Sequence, residues 1–192
     1  MNKAVFLDRD GTINEEMGYI NHASRFKIFD FVPEAIKILN DCEFLVFVVT
    51  NQSGVARGYF SEDLLISLHD HLSAMVEANH AKIEKIYYCP HHPKEGLLKY
   101  RVNCNCRKPK PGMIERAKKE YTIDLEESFI IGDRYKDIQF GQNMGLHTIM
   151  VLTGYGLGEY TYQINDWPKQ PDQVCNNLLD AANFIKSLQL KS

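Results

Sequence analysis

Ala4-Val5-Phe6-Leu7-Asp8-Arg9-Asp10-Gly11-Thr12 is the stretch that decides the fold. Four apolar residues read as a short buried strand. The run then breaks into two carboxylates one residue apart and a turn glycine. In parallel α/β sheets the C-terminal ends of strands face the ligand crevice. Two acidic side chains there can divide the work, one attacking or holding a metal and the other moving protons. The stretch therefore predicts a site at the C-terminal end of a sheet strand.

Working outward, apolar runs alternate with amphipathic stretches. Residues 44–49 read as a central parallel strand, and 83–88, 129–131 and 147–152 as further strands. Helices are expected over 33–41, with proline in the first turn, and over 61–79, with Ser61 as N-cap. Others are expected over 111–121, over 135–144 before Gly145, and over 177–188. This order predicts an α/β fold with a parallel sheet and helices on both faces.

Composition narrows the function. The chain has 192 residues and is 44% hydrophobic, enough for one domain with a sizeable core. A net charge of −3 counts against nucleic-acid and membrane-surface partners. No apolar run reaches the ~18 residues of a membrane span. Lys3 is followed by only four apolar residues, so no signal peptide and a cytoplasmic location are expected. Five cysteines (Cys42, Cys89, Cys104, Cys106 and Cys175) are an odd count, which points away from a disulfide framework.

Two more strand ends carry polar residues. Thr50-Asn51-Gln52-Ser53-Gly54 offers a hydroxyl and backbone N–H donors suited to phosphate, though a capped turn would look the same. Asp133 leaves the sheet after Gly132, as a ligand or as an N-cap, and Asp137 follows one helical turn later. Lys108 precedes a proline-started helix, which also suits solvated surface.

Together these residues resemble the four motifs of the haloacid dehalogenase-type (HAD) phosphatases. Asp8 to Thr12 matches D-x-D-G-T, Thr50 the second motif, Lys108 the third, and Gly132-Asp133 through Asp137 the fourth. The resemblance spans residues 5–153 and implies a HAD-like Rossmannoid three-layer sandwich. It implies Asp8 as nucleophile and Asp10 as proton carrier, with Thr50 and Lys108 holding the phosphoryl oxygens. Mg²⁺ would be held by Asp8, Asp133 and the backbone carbonyl of Asp10, and Asp137 would brace the metal or Lys108. Asp10 is expected to start protonated, its proton affinity raised by Asp8 and the anionic substrate.

The segment from Cys89 to Pro111 breaks the strand–helix rhythm. Cys89-x-His91 and Cys104-x-Cys106 supply four soft or borderline ligands, enough for a closed tetrahedral Zn²⁺ site. The bland alternative is three reduced thiols in a loop. His91 is preferred to His92 because the C-x-H spacing returns both side chains to one point. Zinc there would be structural and would pin a loop carrying Lys94, Lys99, Arg101, Arg107, Lys108 and Lys110 beside the site. For Lys94 and Lys99 a solvated role is the simpler reading.

A zinc loop in a phosphatase without a separate cap domain resembles two narrower groups. These are the D-glycero-D-manno-heptose 1,7-bisphosphate phosphatases and the histidinol-phosphate phosphatases. Gly18-Tyr19-Ile20, Thr50 to Gly58, Tyr87 to Pro93 and Cys104 to Pro109 are closer to the heptose group. That likeness implies one domain over residues 1–192, with the zinc loop at about 89–110. It implies a small anionic sugar-phosphate substrate bound by Glu16, Met17, Gly18, Tyr19, Thr50, Asn51, Gln52, Ser53, Arg57, Arg107, Lys108 and Arg134. The expected reaction removes the C7 phosphate of a heptose bisphosphate, on a pathway to nucleotide-activated heptose, with the protein acting as a monomer. The heptose group commonly has lysine where this chain has Arg134, which keeps the charge and changes its shape. The rival readings are histidinol-phosphate hydrolysis and, outside enzymes, a zinc-stabilised nucleic-acid or protein-binding module.

Overall fold

The computed structural model describes residues 1–190. Six parallel strands form one sheet: β1 (Ala4–Leu7), β2 (Leu45–Asn51), β3 (Lys85–Cys89), β4 (Phe129–Gly132), β5 (His147–Val151) and β6 (Gln173–Cys175), in the order β3-β2-β1-β4-β5-β6. Val5 lies between Val46 and Phe129, and Leu7 between Val48 and Ile131. The strand order reverses direction at β1, so the crevice opens at its C-terminal end.

The described residues form seven α-helices: α1 (Val32–Asp41), α2 (Ser53–Ala56), α3 (Glu62–Ala78), α4 (Gly112–Tyr121), α5 (Tyr135–Gln142), α6 (Gly156–Gln163) and α7 (Leu178–Gln189). The period-2 alternation of a strand explains the three layers. Val5, Leu7, Val46 and Val48 pack with Ile36 of α1, Leu72 of α3 and Ile185 of α7. Ala4, Phe6, Phe47 and Val49 face the other way, onto Met113 and Ala117 of α4 and Phe140 of α5. Ser61 caps α3 as expected, its hydroxyl accepting from the Leu64 N–H at 3.1 Å.

Three elements go beyond the sequence expectation. The four-residue α2 gives no periodic signal. β6 is a three-residue edge strand, and α6 carries Gly156 and Gly158 with little apolar repeat. Two expected strands are displaced: β2 begins at Leu45, and β3 is confined to Lys85–Cys89. No helix among the described residues is long and apolar enough to cross a membrane.

Candidate active site

β1 delivers Asp8, β2 delivers Thr50 and Asn51, β4 delivers Asp133, and α5 delivers Asp137 from its first turn. Lys108 enters from the loop ahead of α4. Its buried ammonium sits 2.8 Å from Asp8 Oδ1 and 2.7 Å from Asp137 Oδ1. Lys108 is thus not solvated surface. Asn51 fixes it there: Asn51 Oδ1 accepts the Lys108 N–H at 3.0 Å and Asn51 Nδ2 donates to the Lys108 carbonyl at 3.2 Å.

Asp133 is a buried ligand candidate rather than an N-cap. Its Oδ2 accepts the Tyr155 N–H at 2.8 Å, while Oδ1 has no hydrogen-bond partner among the described residues. The cap of α5 is Arg134, whose N–H is taken by Asp137 Oδ2. Two glycines cradle Asp133. A Cβ at Gly11 (φ 81°) or Gly154 (φ 55°) would lie 2.2 Å from Asp133 Oδ2, so no larger residue fits at either position.

Oxygens of Asp8, Asp133 and Asp137 lie within 4.8 Å of one another. Burial, then the neighbouring Asp137, raises the proton affinity of Asp8 against the pull of Lys108, to a pKa of about 7. Burial, with Asp8 and Asp137, raises Asp133 to about 9. A single lysine does not neutralise three buried carboxylates. An orphaned, hard oxygen beside them is the donor set that Mg²⁺ takes.

Asp10 departs from the expectation. Its carboxylate accepts from Arg9 (2.8 and 2.9 Å from Nη2), from Asn14 Nδ2 (3.0 Å) and from Gln52 Nε2 (2.7 Å). Burial works to raise its pKa, but the Arg9 charge and these hydrogen bonds outweigh burial and hold it below the usual carboxylate range. Asp10 is thus ionised rather than protonated, because the adjacent Arg9 guanidinium and the Asn14 and Gln52 amides stabilise its charge.

The cavity above these groups measures about 320 Å³. Asp8, Asp10, Thr50, Asn51 and Lys108 line it, together with Glu16, Gly18, Tyr19 and Ser53. Arg57, Arg107 and Arg134 line it as well. Two further expected residues point elsewhere. Met17 packs against the core that holds α1 and α3, and Gln52 is buried against Asp10 and Thr50. Sequence reading missed Lys136 and Tyr155, which line the cavity, and Glu159 of α6. Glu159 accepts from Arg134 Nε at 2.8 Å, while the Arg134 guanidinium lies over the Tyr155 ring at 4.5 Å. Charge type and position gave no signal for these contacts, which span about twenty residues or more of chain.

The four candidate zinc ligands converge. Cys104 Sγ is 3.5 Å from Cys89 Sγ and 3.2 Å from Cys106 Sγ, and His91 Nδ1 is 3.4 Å from Cys106 Sγ and 3.9 Å from Cys89 Sγ. A tetrahedron with ligands at about 2.3 Å has edges of about 3.8 Å, so the donors fit zinc. Hydrogen bonds from Cys89, Cys104 and His91 pull the Cys106 thiol down to about 5, toward the thiolate a metal needs. The loop docks on α2 and α3. The Leu97 N–H donates to the Ala56 carbonyl at 2.7 Å, Arg57 pairs with Glu95, and Tyr100 donates to Glu62 at 2.7 Å. Arg107 donates to the His91 carbonyl at 3.3 Å, which ties a cavity cation to the cluster. Of the two remaining thiols, Cys175 is buried and Cys42 partly so.

A six-stranded parallel sheet with paired aspartates at the end of its central strand, and a lysine and further aspartates closing on them, defines a HAD-like hydrolase. The HAD-hydrolase-like family matches residues 105–181. The chain is 40% identical over 190 residues to the D-glycero-beta-D-manno-heptose-1,7-bisphosphate 7-phosphatase of Pasteurella multocida, covering 98% of this chain and 100% of that one. It is 41% identical over 195 residues to the Haemophilus influenzae enzyme of the same name, with 98% and 100% covered. A crystal structure of D,D-heptose 1.7-bisphosphate phosphatase from B. bronchiseptica, complexed with magnesium and phosphate, superposes with a TM-score of 0.84 at 28% identity, covering 99% of each chain. The chain belongs to the D-glycero-β-D-manno-heptose-1,7-bisphosphate 7-phosphatase family, and it is a phosphoric monoester hydrolase.

Proposed function

We propose that this protein hydrolyses the C7 phosphate of D-glycero-D-manno-heptose 1,7-bisphosphate, leaving the 1-phosphate, through a phosphoryl group carried on Asp8. The observation that carries the reading is the Lys108 ammonium held between Asp8 and Asp137, with the unpaired Asp133 oxygen beside them. Magnesium, when bound by Asp8, Asp133 and the Asp10 backbone carbonyl, supplies positive charge that offsets repulsion between the nucleophile and the phosphate.

Asp8 attacks phosphorus as the bond to the sugar oxygen breaks. Lys108 and Thr50 hold the phosphoryl oxygens, where negative charge spreads. Asp10 takes up a proton as the substrate arrives, when the phosphate charge offsets that of Arg9, and gives it to the departing sugar oxygen. In the second step Asp10 receives a proton from water. That water attacks the phosphoryl group and releases inorganic phosphate and free Asp8.

Arg57, Arg107, Arg134 and Lys136 place positive charge around the rest of the cavity, which suits a second phosphate on the same sugar. Glu16, Gly18, Tyr19, Asn51 and Ser53 lie where sugar hydroxyls would reach them. Cys89, His91, Cys104 and Cys106 would hold one structural zinc, with no open position for water. A single domain acting as a monomer in the cytoplasm completes the reading. Histidinol phosphate, with one phosphate and a cationic amine, fits this basic rim less well.

Phosphate release from heptose bisphosphate, sugar monophosphates and histidinol phosphate in Mg²⁺ tests the proposal. Asp8→Asn should abolish release while the protein stays folded. Faster turnover of histidinol phosphate, or an active Asp8→Asn variant, would overturn it.

A further inference from the structure

Arg9 is buried to 1% exposure. One edge of its guanidinium is spent on Asp10. Its remaining nitrogen, Nη1, lies 3.1 Å from Nε2 of His69, which is 6% exposed in the middle of α3. A guanidinium has donors only, so His69 Nε2 must be the acceptor, and the imidazole is neutral with its proton on Nδ1. Burial and the Arg9 charge agree with this, lowering the His69 pKa to about 3. Tyr88 flanks the imidazole, with ring centroids 5.5 Å apart, and Phe26 lies beneath the guanidinium at 5.3 Å. The arginine is thus held on three sides.

We infer that His69 is a positioning residue for the reaction: by accepting from Arg9 Nη1 it keeps the opposite edge of the guanidinium on Asp10, and so fixes the direction in which Asp10 exchanges its proton. This inference rests on the reading of Asp10 as proton carrier. The physical reason is satisfaction of a buried cation. Without His69, Nη1 is left without an acceptor in the core, and the group recovers one only by rotating away from Asp10. Asn14 and Gln52 would then hold the carboxylate alone. The chain thereby links the face of α3 to the reacting atoms through one buried arginine.

His69→Leu removes the acceptor, and His69→Gln restores one at similar reach. Two substrates separate proton transfer from everything else. A sugar phosphate needs a proton on its departing oxygen, whereas p-nitrophenyl phosphate releases a stable anion. The expected result for His69→Leu is a fall in kcat on the sugar bisphosphate of about tenfold or more, with KM within about twofold. The pre-steady-state burst of nitrophenolate should keep the wild-type rate. His69→Gln should recover kcat to within about threefold.

Should His69→Leu misfold, Arg9→Lys supplies the second arm. It should lose the same kcat selectively, and combining it with His69→Gln should cost little more, since the two act on one contact. Wild-type kcat in His69→Leu would overturn the inference. So would equal losses of kcat and burst rate, or a folded His69→Gln no better than His69→Leu. Activity in Asp8→Asn would instead count against the nucleophile assignment.

Discussion

Asn51 grips both backbone polar atoms of Lys108, accepting its N–H at 3.0 Å and donating to its carbonyl at 3.2 Å. The residue next to Thr50 in sequence thereby fixes a lysine 57 positions away. Replacing Asn51 with Ala should leave both Lys108 backbone groups short of partners. We expect kcat to fall by about tenfold to a hundredfold through the displaced ammonium. Steady-state kinetics check this, and an unchanged kcat would show that the loop holds Lys108 unaided.

The crowded carboxylates predict how pH acts on the metal-free protein. Asp8 and Asp133 bind protons more tightly folded than unfolded, with folded values of about 7 and about 9. The stability they contribute is full below the unfolded carboxylate value and is lost as pH rises through the folded values. Thermal unfolding of EDTA-treated protein should therefore show Tm dropping from pH 5 toward about pH 9. The gain in Tm on adding Mg²⁺ should widen over the same span. A gain independent of pH would mean that these two aspartates are not the ones it neutralises.

Gly154→Ala and Gly11→Ala test the cradle around Asp133. Each places a methyl group 2.2 Å from its carboxylate in the wild-type geometry. Both should weaken Mg²⁺ activation by about tenfold or more, read as the Mg²⁺ concentration at half-maximal rate. Gly158→Ala, where a Cβ meets nothing within 4 Å, is the control and should behave as wild type.

Lys136 should set selectivity. It lines the cavity and makes no hydrogen bond or ion pair among the described residues, while burial, Arg134 and Arg107 lower its proton affinity. Lys136→Gln should cut kcat/KM for the heptose bisphosphate by about tenfold and leave p-nitrophenyl phosphate nearly untouched. Equal losses on both would place Lys136 with the reacting phosphate instead.

Elemental analysis should find one zinc per chain. Cys104→Ser should lower Tm and raise KM more than it lowers kcat, since Arg107 hangs from the His91 carbonyl and Leu97 from Ala56. Full stability in protein stripped of zinc would refute the loop assignment.

Part of the site was legible because its residues stand at strand ends, where an apolar run followed by Asp or Thr marks both the fold and the crevice. Asp8, Thr50 and Asp133 stand at such ends, whereas Lys108 before a helix suits solvated surface as well and is assigned only by the resemblance to the HAD phosphatases. What stayed hidden was side-chain direction in irregular backbone and contact across long stretches of chain. Gln52, with φ −115° and ψ 57°, turns inward toward Asp10 rather than outward to a sugar. Met17 joins the core for a similar reason. His69 carries no signal of its own in the sequence, and its meaning comes only from Arg9, sixty residues earlier. The ionised state of Asp10 follows from an adjacent residue whose orientation no spacing rule gives.

The zinc-cluster loop is tied to the rest of the protein at Gln52, Ala56, Arg57, Glu62 and Glu115, while Asp8, Thr50 and Asp133 stand on or at the ends of strands. One cation of the recognition surface, Arg107, is therefore written in a stretch of the gene apart from the strands that end in Asp8, Thr50 and Asp133. Chimeras that exchange residues 89–107 between relatives, keeping Ala56 and Glu62 as the shared seams, offer a route to new sugar preferences without rebuilding those strand ends.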